Sequence, residues 1–226
     1  MQKFKIIISL LILAIIAIGA IWFILRYQTI NNEVVIVNQA SSEIELPVNT
    51  NLDSILNLNT VVEQPDLTEP VSEFQERITL KPFGVLIDLA TSPVQPERFS
   101  GYHNGIDVEF TDTDEDIPVY AIAPGTVLVA RIVSGYGGVL VIRHDIDGES
   151  VSTLYGHMLL SSLPSINSEV QAGDQIGILG TGGTSETDFE RHHLHFAMLK
   201  GETIDYRGYV QSEDELAGWY DPLSFY

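Results

Sequence analysis

The stretch Arg191-His192-His193-Leu194-His195-Phe196 holds three of the chain's six histidines. It runs on through Ala197, Met198 and Leu199 as an apolar segment that reads as a strand. Strand side chains alternate faces, so His193 and His195 point one way while Leu194 and Phe196 point the other. Two imidazoles about 7 Å apart at Cα on one face suit a metal site with a base beside it. A His-x-His on a half-exposed strand carries no such meaning alone. The motif His103-Asn104-Gly105-Ile106-Asp107 supplies it, because a spacing of four is even and a strand then puts His103 and Asp107 on a common face. Together the two motifs offer His, Asp and His to one zinc ion, with a fourth position left open for water, as catalytic zinc requires.

Outward from these motifs the chain is a series of short runs rich in Val, Ile and Tyr, with no sustained helical period. The predicted strands are Val85–Asp88, Ile106–Phe110, Val119–Ile122, Thr126–Ile132, Val139–Arg143, Ser152–Tyr155, Gln175–Leu179 and Leu194–Leu199. Turns are marked by Pro124-Gly125, Gly135-Tyr136-Gly137-Gly138, Asp147-Gly148 and Ala172-Gly173-Asp174. This spacing predicts an all-β, antiparallel sandwich or barrel-like domain over residues 78–226.

The N-terminus is of another kind. Ile6 to Leu25 is an uninterrupted uncharged run, and twenty residues at 1.5 Å each reach roughly 30 Å, the thickness of a bilayer's hydrocarbon core. It is too long for the core of a cleaved signal peptide, and Trp22 to Tyr27 offers no small-x-small cleavage site. Residues 1–26 are therefore expected to form one transmembrane helix anchored in the lipid bilayer. Lys3 and Lys5 precede the span and only Arg26 follows it closely, which predicts a cytoplasmic N-terminus and an extracytoplasmic domain at the cell membrane. Residues 27–77 read as an extended linker. From Tyr27 to Glu76 there is no Lys or Arg, while nine acidic residues lie among Asn, Ser, Thr and Pro.

The chain has 226 residues, 31 acidic and 11 basic, for a formal charge of −20, which argues against nucleic acid as an electrostatically held partner. It has no cysteine, so a bound zinc must rest on His and carboxylate. Three other motifs carry no site. Asp112-Thr113-Asp114-Glu115-Asp116 starts like a calcium loop, but Ile117 and Ala123 occupy the positions of the turn glycine and the final Glu. Gly180-Thr181-Gly182-Gly183 lacks the Lys-Ser/Thr of a phosphate loop. His144, before the Asp147-Gly148 turn, reads as structural. His157, after the predicted strand Ser152–Tyr155 and next to Gly156, reads as projecting from a rim.

His-Asn-Gly-Ile-Asp (103–107), Tyr-Gly-His (155–157), the run Val170-x-x-Gly173-Asp174-x-Ile176-Gly177-x-x-Gly180 and His-Leu-His-Phe (193–196) resemble the lysostaphin-like, LytM-type zinc metallopeptidases, in the family's order. The resemblance covers roughly Ile78 to Tyr209. It implies a β-rich domain of the duplicated-hybrid-motif kind, with a groove over an antiparallel sheet, that cuts peptide bonds in the stems or cross-bridges of peptidoglycan. Carried over motif by motif, it implies one zinc held by His103, Asp107 and His195, with His157 and His193 as catalytic histidines. A zinc ion polarises the scissile carbonyl and lowers the pKa of its water to around 7, and a neighbouring imidazole accepts the proton. Silent relatives that activate another hydrolase are the alternative class; such relatives usually lose ligand positions, and none is lost here. Two departures stand out: the approach Thr184–His192 is longer and more charged than usual, and Ala197 stands where an acidic residue is common. No protein partner is read from the sequence.

Overall fold

The computed structural model describes residues 67–226. The predicted membrane helix and residues 27–66 of the predicted linker lie outside the described residues. Among the described residues no helix is long and apolar enough to cross a membrane.

Twelve strands follow in chain order: β1 (Leu86–Ile87), β2 (Gly101–His103), β3 (Ile106–Glu109), β4 (Pro118–Tyr120), β5 (Gly125–Val133), β6 (Gly137–Ile146), β7 (Glu149–Met158), β8 (Glu169–Val170), β9 (Gln175–Ile178), β10 (His193–Lys200), β11 (Tyr209–Val210) and β12 (Trp219–Tyr220). The expected all-β antiparallel architecture is what these residues form. A seven-stranded sheet runs β12-β10-β7-β6-β5-β8, with β3 also paired to β10. Smaller sheets are β1-β2-β11 and β4-β9. The pairing path of the large sheet is open, so it is not a closed barrel.

Each predicted strand has its counterpart. The ones missed, β2, β8, β11 and β12, are two or three residues long, too short for alternation to register. The predicted Asp147-Gly148 turn joins β6 to β7, with Ile146 opposite Glu149. Both turn residues have positive φ, 56° and 80°. This is the two-residue hairpin geometry whose twist matches the strands it joins, and which Asp-Gly adopts readily.

The large sheet is covered on both faces. On β6, Leu140 and Ile142 belong to one core cluster, with Val119 of β4 and Ile176 of β9, while Val139 and Val141 belong to a second, with Val210 of β11. That is why this strand reads as a continuous apolar run rather than an alternation. On β10 the same split sends Leu194, Phe196 and Met198 into the first cluster and Ala197 into the second. His193 and His195 share the face of Ala197.

The fold begins before Ile78. The end of the predicted linker packs into the first cluster through Val71 and Phe74, which are 1% and 0% exposed. The amide of Thr68 donates to the Ile122 carbonyl and that of Tyr120 to the Pro70 carbonyl. Phe74 meets Phe196 edge-on, with ring centroids 6.0 Å apart. Two apolar side chains among acidic neighbours carry no periodic signal, so the sequence places the boundary too late.

Candidate metal centre and active site

β10 is paired along both edges at His195 and along one edge at His193. His195 stands opposite Asp107 of β3 on one side and Gly156 of β7 on the other, and His193 stands opposite Glu109. Side chains directly opposite each other share a face, so Asp107 and Glu109 join the two imidazoles in one row.

His103 arrives differently from expectation. The sequence reading put His103 and Asp107 on one strand face, whereas His103 ends β2 in the small sheet and Asp107 lies in β3 of the large one. The chain crosses between sheets at Asn104-Gly105. A Cβ on Gly105 would sit 2.6 Å from the Phe196 carbonyl oxygen and 3.0 Å from the His195 ring, so the crossing can hug the site only with glycine there. Asn104 fixes the bend by donating from Nδ2 to the Arg207 carbonyl at 2.6 Å.

Three ligand atoms converge as a result. His103 Nε2 lies 3.1 Å from His195 Nδ1 and 3.2 Å from Asp107 Oδ1, and that oxygen lies 3.0 Å from His195 Nδ1. Zinc bonds of about 2.0–2.2 Å in tetrahedral geometry separate ligand atoms by roughly 3.3 Å, so this triangle fits one face of a zinc tetrahedron. His103 Nδ1 faces the Pro82 carbonyl at 3.2 Å. A carbonyl only accepts, so that nitrogen carries the proton and Nε2 presents its lone pair to the site. All three residues are buried. Burial works to raise the Asp107 carboxyl, but the facing imidazoles of His103 and His193 and the hydrogen bonds to His103 and His195 hold it well below the usual carboxylate range.

His157 and His193 flank this triangle with ring centroids 4.2 Å apart. His193 Nδ1 donates to the Arg191 carbonyl at 2.9 Å, and His157 Nδ1 to the Thr187 carbonyl at 3.2 Å. Each ring is thereby fixed in one tautomer, with Nε2 as its acceptor. Burial pushes the His157 imidazole down to about 3. Burial and the neighbouring His157 hold His193 well below its ordinary value. Both rings are therefore neutral, able to take a proton, and open onto a cavity of about 410 Å³ also lined by Asp107, His195, Tyr136 and Arg191.

Three readings of local structure change. His157 lies inside β7, not beyond its end. There Gly138 pairs with Met158 and Val139 with Gly156, leaving His157 as the extra residue of a bulge, with φ 62°. A bulge re-aims one side chain out of the strand's alternation. The long approach before His192 is not a loose connection. It folds as the turn Ser185–Thr187, and buried Thr187 supplies the carbonyl that orients His157. Asp188 ties the turn to Arg98 at 2.9 Å and to the Gly135 amide at 2.8 Å. Ala197 packs in the second core cluster beside Leu154 and Trp219 rather than at the site.

Two site residues escaped the sequence reading, Glu109 and Arg191. Parity was the available signal, since each lies two positions from an assigned residue on the same face. His192 turns away from the triangle, its Nδ1 against the Thr113 carbonyl at 3.2 Å.

Residues 101–206, which hold all five assigned residues, match the sequence model of peptidase family M23. The match spans all four motifs on which the resemblance to the lysostaphin-like, LytM-type peptidases rests, and supports that resemblance. Among curated proteins the chain is 33% identical over 104 residues to the DD-carboxypeptidase/endopeptidase Mpg of Neisseria meningitidis serogroup B, which covers 46% of this chain and 21% of the relative. It is 41% identical over 69 residues to the murein hydrolase activator EnvC of Escherichia coli K12, covering 30% and 16%. The chain thus spans about a fifth of the length of these relatives. Among solved structures it is similar to the catalytic domain of lysostaphin from Staphylococcus simulans, at 22% identity and TM-score 0.42, covering 65% of this chain and 86% of that one.

Proposed function

We propose that the domain is a zinc metalloendopeptidase that hydrolyses peptide bonds in peptidoglycan stems or cross-bridges, tethered to the outer face of the membrane by residues 1–26. The observation that carries this is the convergence of His103 Nε2, Asp107 Oδ1 and His195 Nδ1 beside two neutral imidazoles opening onto one cavity. Zinc held by His103, Asp107 and His195 supplies a Lewis acid that polarises a carbonyl and acidifies water. His193 takes a proton at Nε2 as general base, since its Nδ1–H is committed to the Arg191 carbonyl. His157, fixed in the same way on Thr187, presents its Nε2 lone pair to the cavity, where it accepts a hydrogen bond or a proton from the reacting group. The sheet floor beneath β10 is core, which keeps bulk water from that side.

The test is zinc content of the purified full-length protein together with release of free amino groups from isolated peptidoglycan. One zinc per chain with release supports the reading; a chain that binds no zinc and releases nothing overturns it. The similarity to a murein hydrolase activator favours one rival reading, a domain that stimulates a second wall hydrolase. Zinc-loaded protein that releases nothing alone but accelerates such a hydrolase would select it. The tether has its own check: protease added to intact spheroplasts should remove the domain, and survival of the domain until lysis would reverse the orientation.

A further inference from the structure

The two oxygens of Asp107 face different partners. Oδ1 points into the triangle with His103 and His195. Oδ2 lies 2.7 Å from Arg191 Nη2 and 3.6 Å from His193 Nε2. Arg191 is itself held: Nη2 donates to Glu109 Oε1 at 2.6 Å and Nε to Glu109 Oε2 at 2.8 Å. The three side chains are 13%, 3% and 7% exposed for Arg191, Asp107 and Glu109, so this arrangement is enclosed. The register explains how it is built, because Glu109 stands opposite His193 and Arg191 lies two positions before it.

We infer that Arg191, oriented by Glu109, is a positioning residue that occupies Oδ2 of Asp107, so that the carboxylate offers the zinc one oxygen and leaves His193 Nε2 free. The chemistry is that of the planar guanidinium, which makes several hydrogen bonds in fixed directions. Without it, Oδ2 has two other destinations. It can turn onto the metal beside Oδ1, which fills the coordination position that a catalytic site keeps open. It can also hold a proton on His193 as an imidazolium hydrogen-bonded through Nε2, 3.6 Å away, which ends that nitrogen's use as an acceptor. Either outcome merges two tasks that the wild-type arrangement keeps apart. Partners behind a ligand tune affinity or activity by roughly 10- to 100-fold.

The inference rests on the zinc reading above, and the test separates the two. Arg191→Met strands the buried Glu109 charge, so the decisive variant is the double change Arg191→Met/Glu109→Gln, which removes both charges together. Arg191→Lys retains a charge without the fork. In the full-length protein, zinc affinity is measured by chelator competition, and the metal's coordination by the visible spectrum of the cobalt-substituted form. The double variant should keep the wild-type circular dichroism, bind zinc roughly 10- to 100-fold more weakly, and lose intensity in the cobalt bands as the site departs from four-coordination. Arg191→Lys should fall between it and wild type. A folded double variant with unchanged affinity and spectrum overturns the inference, and so does one that binds zinc more tightly, since the guanidinium would then be withdrawing charge rather than orienting. A double variant that unfolds while Arg191→Lys keeps wild-type affinity and spectrum overturns it as well, reducing the pair to a structural role. Wild-type protein that takes up neither metal overturns the zinc reading and this inference with it.

Discussion

His144 and the pair His157/His193 are all buried imidazoles whose charged form burial disfavours. They differ in how their nitrogens are spent. His144 has Nδ1 on the Pro124 carbonyl at 2.9 Å and Nε2 on the Thr153 hydroxyl at 2.9 Å, so nothing remains to offer. His157 and His193 each spend only Nδ1, on a backbone carbonyl, and turn Nε2 to the cavity. Burial and a depressed pKa therefore do not distinguish a structural histidine from a working one. The unspent nitrogen does.

The largest expected effect sharpens that contrast. His193→Ala and His157→Ala should each cut turnover by roughly 10²–10⁴-fold, the usual worth of a positioned acid or base, while zinc content stays near one per chain. His195→Ala should lose both activity and metal, because a ligand is gone. If His193→Ala loses zinc as fully as His195→Ala does, ligand and base have been assigned the wrong way round.

His144→Ala should do the opposite. It removes two hydrogen bonds and leaves the Pro124 carbonyl short of a partner, while the Thr153 hydroxyl keeps the Ile142 carbonyl at 3.3 Å, so the cost is about 1–3 kcal/mol of stability. Turnover per folded molecule should stay at the wild-type value. A variant of unchanged melting temperature but lowered turnover would break the comparison.

The mildest effect is on pH dependence. In metal-free protein the imidazoles of His144, His157, His193 and His195 are all lowered from the ordinary value near 6.5 by burial. Below about pH 6.5 the unfolded chain binds protons that the folded one refuses, so stability is fully present above that pH and falls on acidification. Replacing His144 by Gln should flatten the acid limb by at most one proton, about 1.4 kcal/mol per pH unit, and leave the slope above pH 7 alone. Denaturation midpoints measured across this range check both statements.

Much of this site was legible because period-two alternation is a strong signal. It placed His193 and His195 on one face and sent Leu194 and Phe196 to the core. His103 and Asp107 do come together, but not as neighbours on one strand face, since their convergence depends on the Asn104-Gly105 crossing between sheets. His157 was singled out only through motif resemblance. Its bulge exists in the register between β6 and β7, and no single strand's sequence records a register. Parity could place Glu109 and Arg191 on the site's face, but not pair them, since the pair joins residues 82 positions apart. The burial of Val71 and Phe74 was masked by the acidic composition around them.

One consequence follows from β10 being hydrogen-bonded on both edges while its opposite face lies in the main core. The amide groups of its doubly paired stretches, His195–Phe196 and Met198–Leu199, should be among the slowest to exchange and report global rather than local stability. The side chains that this strand positions should then lose their arrangement together on heating. Variation has its room elsewhere, at exposed positions such as Phe189 and Arg207, where a change of side chain leaves the strand beneath untouched.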